Sequence, residues 1–379
     1  MGQPEVIWHA PAYDPSGYAT CARDYIFALH KLGVKIRFSP VRGWSPIAAP
    51  AVSGSDLKTL QQLEHIPVAA DAPKVHHTVP DVYRRSMDSG RPNIGYTVFE
   101  TDGCPPAWIK IMEKMKLIMV PCEFNRATFE RSGFNSKKMR VIPHIVDTDR
   151  FDPNKYKPIP IPHKRDFYFL TIMDVTYRKG WDILMRAYTR EFKGNRDVCL
   201  IFKGYFGGVT DQHKQNLYNR LRGFRDSLKI KNAPDILFYG DIFDLKDLPR
   251  LYKAADCFVL SSRGEGWGLP YSEAMSMEVP TIGTGWGGNT EFMNKSNSYL
   301  IDVLEFRDTG EELTKITPNY VGQKFAEPSE GHLRRLMRHV YENQKEAKAK
   351  AKKARQDLIT NFSWKPIGER IIDVLKEGS

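Results

Sequence analysis

The chain has 379 residues, enough for two domains of ordinary size. Its 41% hydrophobic and 27% charged content is that of a globular protein, and no apolar run approaches the roughly 18 residues of a membrane-spanning helix. With 56 basic against 45 acidic side chains the formal charge is +11, which favours anionic partners: nucleotides, nucleic acid or an anionic membrane face.

The opening MGQPEVIWHA lacks a basic start followed by an apolar stretch, which predicts no secretory signal and a cytoplasmic protein, at most peripheral to a membrane. Five cysteines (Cys21, Cys104, Cys122, Cys199 and Cys257) are scattered and lack metal-ligand spacing, so they read as reduced thiols. In chain order, EVIWHA reads as a strand, YATCARDYIFALHKLG as a helix ending at Gly33, and VKIRFSP as the next strand. NIGYTVFE, PPAWIKIMEKM, KLIMVPC, NRATFERSG and KMRVIPHI continue the alternation. Strands apolar along their whole length, separated by helices, predict a parallel sheet covered on both faces.

The texture changes at 151–166, FDPNKYKPIPIPHKRD, where Pro and Lys preclude a helix or central strand. The linker is placed there, at 156–165, between an N-terminal domain of 1–155 and a C-terminal domain of 166–361. The alternation restarts with FYFLTIMD, WDILMRAYTREF, VCLIFKG, a long helix, ILFYGD, DLPRLYKAA, CFVLSS, YSEAMSM and PTIGT. Residues 307–330 fit neither period clearly. A single long helical stretch is expected over 329–360, including the Lys/Ala run KEAKAKAKKARQ with little apolar face. NFSWKPIGERIIDVL reads as a last helix, about 362–379. The expected fold class is α/β, with two Rossmann-like doubly wound parallel sheets whose carboxyl ends face a ligand-binding cleft.

SSRGEGWGLPYSEAM, 261–275, joins a buried strand to a helix through a glycine-rich turn. Pro270 suits the first helical turn. Glycines 264, 266 and 268 allow close backbone approach to a ligand, and free N–H groups at a helix amino end attract phosphate. Glu265 falls in the turn and Glu273 about one helical turn inside. A carboxylate is a poor neighbour for phosphate but accepts hydrogen bonds from a vicinal diol. One glutamate can therefore hold a hexose and the other a ribose, with the diphosphate between them.

The stretch LYKAADCFVLSSRGEGWGLPYSEAMSMEVPTIGTGWGGNTEF resembles the signature of the large retaining glycosyltransferase family 4, of GT-B fold: Glu, seven residues, Glu, then a P-T-I-x-T…G-G…E segment. The resemblance extends to PCEFNRATFERSGF…VIPHIVDTDRFDP, to YRKGWDILMRAY and to the terminal NFSW helix, which in such enzymes crosses back to the first domain. It implies a metal-independent, retaining transfer of a hexose-type sugar from a UDP- or GDP-linked donor, without a cofactor. Front-face displacement is favoured in that family, the departing phosphate taking the acceptor proton.

The resemblance gives Glu265 the hydroxyls of the transferred sugar and Glu273 the ribose. Backbone N–H groups of Gly266, Trp267, Gly268 and Leu269 would line the sugar and phosphates. Arg178 and Lys179 would neutralise the diphosphate, with Lys203 a further cation. Many family members carry an Arg a few residues before that pair, where this chain has Asp174. Gly17 matches the glycine that approaches the phosphates from the first domain, and Glu100 the position where relatives place a His or Glu near the sugar.

The acceptor is not named by the sequence: glycan, lipid, protein and modified nucleic acid stay open. So do a nucleotide-sugar epimerase of the same fold and, from net charge alone, a basic nucleic-acid-binding protein. The DTD at 147–149 reads as Asp turn chemistry rather than a metal motif. His76 and His77 alternate in direction along a strand and cannot chelate one ion together.

Overall fold

The computed structural model describes residues 4–45, 52–162, 164–208, 210–241, 243 and 246–379. Contacts divide the chain into two units: 1–146 with 319–323 and 361–379, and 147–318 with 324–360.

The first unit contains strands β1 (Glu5–Ala10), β2 (Lys35–Pro40), β3 (Lys74–His77), β4 (Asn93–Tyr96), β5 (Leu117–Val120) and β6 (Met139–Val141). They form one sheet in the order β2-β1-β3-β4-β5-β6, parallel throughout. Its helices are α1 (Gly17–Lys31), α2 (Gly54–Leu63), α3 (Pro80–Ser86), α4 (Pro106–Met112) and α5 (Glu123–Arg131). Helix α1 starts where Ser16 Oγ accepts from Ala19 N at 3.1 Å, capping an orphan donor of the first turn.

The second unit contains β7 (Phe167–Asp174), α6 (Trp181–Glu191), β8 (Val198–Tyr205), α7 (Asp211–Ser227), β9 (Asp235–Tyr239), α8 (Leu248–Lys253), β10 (Cys257–Leu260), α9 (Leu269–Ser276), β11 (Thr281–Thr284) and β12 (Tyr299–Ile301). Its parallel sheet runs β12-β11-β10-β7-β8-β9. Strands β10 and β11 are buried along their whole length, as a sheet covered on both faces requires. Beyond it lie β13 (Val303–Asp308), α10 (Glu311–Ile316), β14 (Lys324–Pro328), α11 (Glu330–Glu342) and α12 (Gln344–Asn361). The last helix, α13 (Trp364–Gly378), groups with the first unit, where Ile367, Ile371, Val374 and Leu375 enter the core containing Ala28 and Leu29 of α1.

Three expectations are corrected, and one stretch that fitted neither period is resolved. The division falls between 146 and 147 rather than after 155: Arg355 ties the chain after 147 to the second unit by donating to Phe151 O at 2.8 Å and Thr148 O at 3.1 Å. The single helix over 329–360 is two, broken at Asn343, whose backbone leaves the helical region (φ −116°, ψ 48°). Helix α12 has an apolar face after all, because Ala347, Ala351, Ala354 and Leu358 recur at helical spacing and are buried. Residues 303–328 form an antiparallel pair, β13 with β14, and 319–323 between them belong to the first unit.

Candidate active site

Strand order reverses between β7 and β10, which lie side by side with Phe169 opposite Cys257. In open α/β sheets the crevice beyond the carboxyl ends of such strands is where ligands bind. Two chain segments leave that point: Val175–Gly180 from β7 and Ser261–Gly268 from β10.

The first tightens into a turn at Tyr177–Lys179 and ends at Gly180 in the left-handed region (φ 63°). A Cβ on Gly180 would lie 1.9 Å from Ser261 O, so both conformation and space demand glycine. The segment after β10 laces onto it. Ser261 Oγ donates to Gly180 O at 2.9 Å, Ser262 Oγ to Arg178 O at 3.1 Å and Arg263 N to Arg178 O at 2.6 Å.

This brings both cations of the turn to Glu265, which is 5% exposed. Lys179 Nζ lies 2.6 Å from Glu265 Oε1 and Arg178 Nη1 3.6 Å from Oε2, while Arg178 also donates to Gly264 O at 2.8 Å. Burial alone would raise the Glu265 carboxyl, but Lys179 and Arg178 outweigh it and hold the group below the usual carboxylate range. Asp174, at the end of β7, goes the other way: burial raises it against the pull of Arg178 and Lys179.

Glu273, in the second turn of α9, is also raised. Burial pushes it up to about 7, opposed by the Tyr252 hydroxyl, which donates to Oε2 at 2.7 Å, and by Arg150. The two glutamates named from sequence therefore differ in charge state, one fixed as a carboxylate and one poised near neutrality. A third segment, 285–289, closes the turn: Gly288 N donates to Glu265 O at 2.7 Å. A Cβ on Gly288 would meet Gly266 O at 2.0 Å. The Trp267 side chain is 3% exposed and packs on Phe292. Gly268 precedes α9 and Leu269 begins it, with Pro270 in its first turn.

Lys203 on β8 is 9% exposed, and burial lowers its ammonium below the usual range. Its Nζ lies 5.5 Å from the Tyr205 ring centre, and it is not a member of the Arg178–Lys179–Glu265 set. Gly17 and Glu100 belong to the first unit. Gly17 is the exposed first residue of α1, and Glu100 accepts from Tyr320 Oη at 2.9 Å. Among the described residues no three His, Cys, Asp or Glu side chains come together in a way that could hold a metal ion. Asp147 serves a turn instead, its Oδ1 accepting from Arg150 N at 2.9 Å.

Sequence reasoning missed Arg263, Asp182 and Glu327, which form a buried ion cluster beneath the cationic turn. It also missed Tyr252 and Arg150 beside Glu273. Their partners lie tens of residues away along the chain, and no local pattern marks them.

The two-sheet fold is that of GT-B glycosyltransferases. Sucrose-phosphate synthase from Thermosynechococcus elongatus superposes with a TM-score of 0.70 at 14% identity, covering 99% of both chains. Anabaena HepE, solved with UDP and glucose, gives 0.68 at 15% identity over 99% of this chain and 100% of that one. Residues 164–316 match the family model described as glycosyl transferases group 1. Mannosylfructose-phosphate synthase of Agrobacterium fabrum is 30% identical over 164 residues, which is 42% of this chain and 35% of that protein. The O-antigen chain mannosyltransferase B of Escherichia coli is 30% identical over 45% of this chain and 44% of its own length. The matched region thus spans less than half of these curated relatives.

Proposed function

We propose that the protein is a retaining glycosyltransferase that moves a hexose-type sugar from a nucleotide-sugar donor to an acceptor bearing a hydroxyl group. The observation that carries this reading is an ionised, buried Glu265 held beside Arg178 and Lys179 where α9 begins. The diphosphate takes the N–H groups at Gly266–Leu269 and the two cations. The sugar hydroxyls take Glu265, the ribose hydroxyls take Glu273, and Lys203 adds positive potential along β8. For Gly17 and Glu100, a role toward the donor rests on the family resemblance alone. The UDP bound to HepE and the mannosyl and sucrose-phosphate relatives support a UDP- or GDP-linked hexose.

As the bond from the anomeric carbon to the phosphate oxygen breaks, that oxygen gains charge, and Arg178, Lys179 and the α9 amino end stabilise it. The acceptor oxygen bonds to the same face, and its proton passes to the departing phosphate. These cations supply the neutralisation for which a divalent ion would otherwise serve, so the reaction is proposed to be metal-independent. The test is donor hydrolysis or transfer with a panel of UDP-, GDP- and ADP-sugars in excess EDTA, with NMR of the first-formed product. Retained anomeric configuration is expected; an inverted product, or a requirement for added divalent ion, overturns the corresponding part.

A further inference from the structure

Arg263 follows β10 and is 2% exposed. All five N–H donors of its guanidinium are engaged. Nε and Nη2 donate to Glu327 at 2.7 and 3.2 Å, and Nη1 and Nη2 to Asp182 at 2.8 and 2.9 Å. The fifth bond, from Nη1, goes to Tyr177 O at 2.7 Å, and the guanidinium carbon lies 3.8 Å from the Tyr177 ring centre. A buried ion cluster is weak evidence of net stability, because desolvating the charges offsets their attraction. Its geometric effect is more telling. The Arg263 side chain takes the carbonyl of Tyr177 and its backbone N–H takes that of Arg178, so one residue holds two successive peptide groups. Those are the peptide groups that lead into Arg178 and Lys179. Asp182, in the first turn of α6, and Glu327, on β14, orient the guanidinium from two further elements.

We propose that Arg263 is a positioning residue of the donor site, locking the Tyr177–Lys179 turn so that Arg178 and Lys179 both point at a bound diphosphate. This rests on the reading of the site as one for a nucleotide sugar. Only a planar fork with five donors reaches both carboxylates and the Tyr177 carbonyl together, whereas a lysine keeps the charge and loses the geometry.

The experiment is calorimetry on the full chain with UDP, GDP and ADP, and with the nucleoside of whichever diphosphate binds most tightly. Arg263→Lys is expected to weaken the diphosphate about tenfold, the scale of one charge-assisted contact, and to leave nucleoside affinity unchanged. Glu327→Gln, which keeps Asp182 on Arg263, is expected to give the same split to a smaller degree and serves if the lysine variant does not fold. Unchanged diphosphate affinity in a folded variant overturns the proposal. So does equal weakening of diphosphate and nucleoside, which marks a general loosening. If the unmodified protein binds none of the three diphosphates, the nucleotide-sugar reading itself falls, and the positioning role with it.

Discussion

The two units build similar parallel sheets and fill their strand ends with opposite chemistry. In the first unit the groups near the ends of β1, β3 and β4 are aromatic or imidazole: Trp8, His77 and Tyr96, with Tyr25 and His144 packed around them. His77 is fully buried, packs against Tyr96 with ring centres 3.9 Å apart and tilted by 32°, and has no hydrogen-bond partner for either ring nitrogen among the described residues. Burial holds it and His144 neutral at ordinary pH. In the second unit the corresponding region is made of charges: Lys179 with Glu265, and Arg263 with Asp182 and Glu327. The neutral cluster is held by packing and by hydrogen bonds such as those from Tyr25 Oη to Ile142 O and Pro143 O at 2.7 and 2.9 Å, whereas buried charges are costly unless paired and serve best where a charged ligand is to be met. The difference supports the proposed placing of diphosphate recognition in the second unit.

The largest expected effect comes from removing the central charge. Glu265→Gln removes the charge that Lys179 and Arg178 pair with and replaces one of its two acceptor oxygens by a donor amide. Steady-state turnover should fall about 100-fold or more, the scale found when one preorganised polar group is lost from an active site. Binding of free nucleoside diphosphate should change far less. A fully active glutamine variant would mean that the charge contrast between the units has no catalytic meaning.

Next is the packing that joins the two loops. Gly180→Ala forces a Cβ to within 1.9 Å of Ser261 O in a left-handed conformation, and should cost about 3 kcal/mol or more in urea unfolding. Loss of diphosphate binding should accompany it.

Acid should separate the units. His144, pushed down to about 3 by burial, and His77 titrate below their unfolded values. Their contribution is present above the unfolded pKa of about 6.5 and is lost as pH falls below it. Glu265 and Asp182 are depressed carboxylates, so their contribution is lost only below the unfolded carboxylate pKa of about 4. Hydrogen exchange should show β3 and β4 losing protection before β7 and β10 as pH drops. The reverse order would contradict the contrast.

The smallest effect concerns Glu273. Its raised pKa of about 7 means that folding disfavours its ionised form. The cost to stability is fully present above that pH and is relieved as pH falls toward the unfolded value of about 4.3. If the ionised form accepts the ribose hydroxyls, nucleoside diphosphate affinity should rise through pH 7. Glu273→Gln should flatten that rise and cost about 1.5–3 kcal/mol, the range for a hydrogen bond to a charged group.

Much of this was legible in the chain. Runs such as CFVLSS and VCLIFKG announce buried parallel strands, because a central strand covered on both faces has no polar side to show. The spacing of Glu265 and Glu273 around a glycine turn and Pro270 marked the candidate site, since each of those features acts within a few residues. The boundary after 146, the break at Asn343 and the β13–β14 pair were not legible, being settled by contacts that no local period reports.

The sequence by itself determined the alternation of strands and helices, the glycine turn before α9 and the identity of the two glutamates. Tertiary structure alone decided that Lys179 and Arg178 converge on Glu265 from 86 and 87 positions earlier, and that Arg263 is buried between Asp182 and Glu327. The physical reason is range. Backbone conformation and amphipathic patterning are set by near neighbours, whereas the charge state of a carboxylate depends on its burial and on whichever cation the fold brings within a few ångströms.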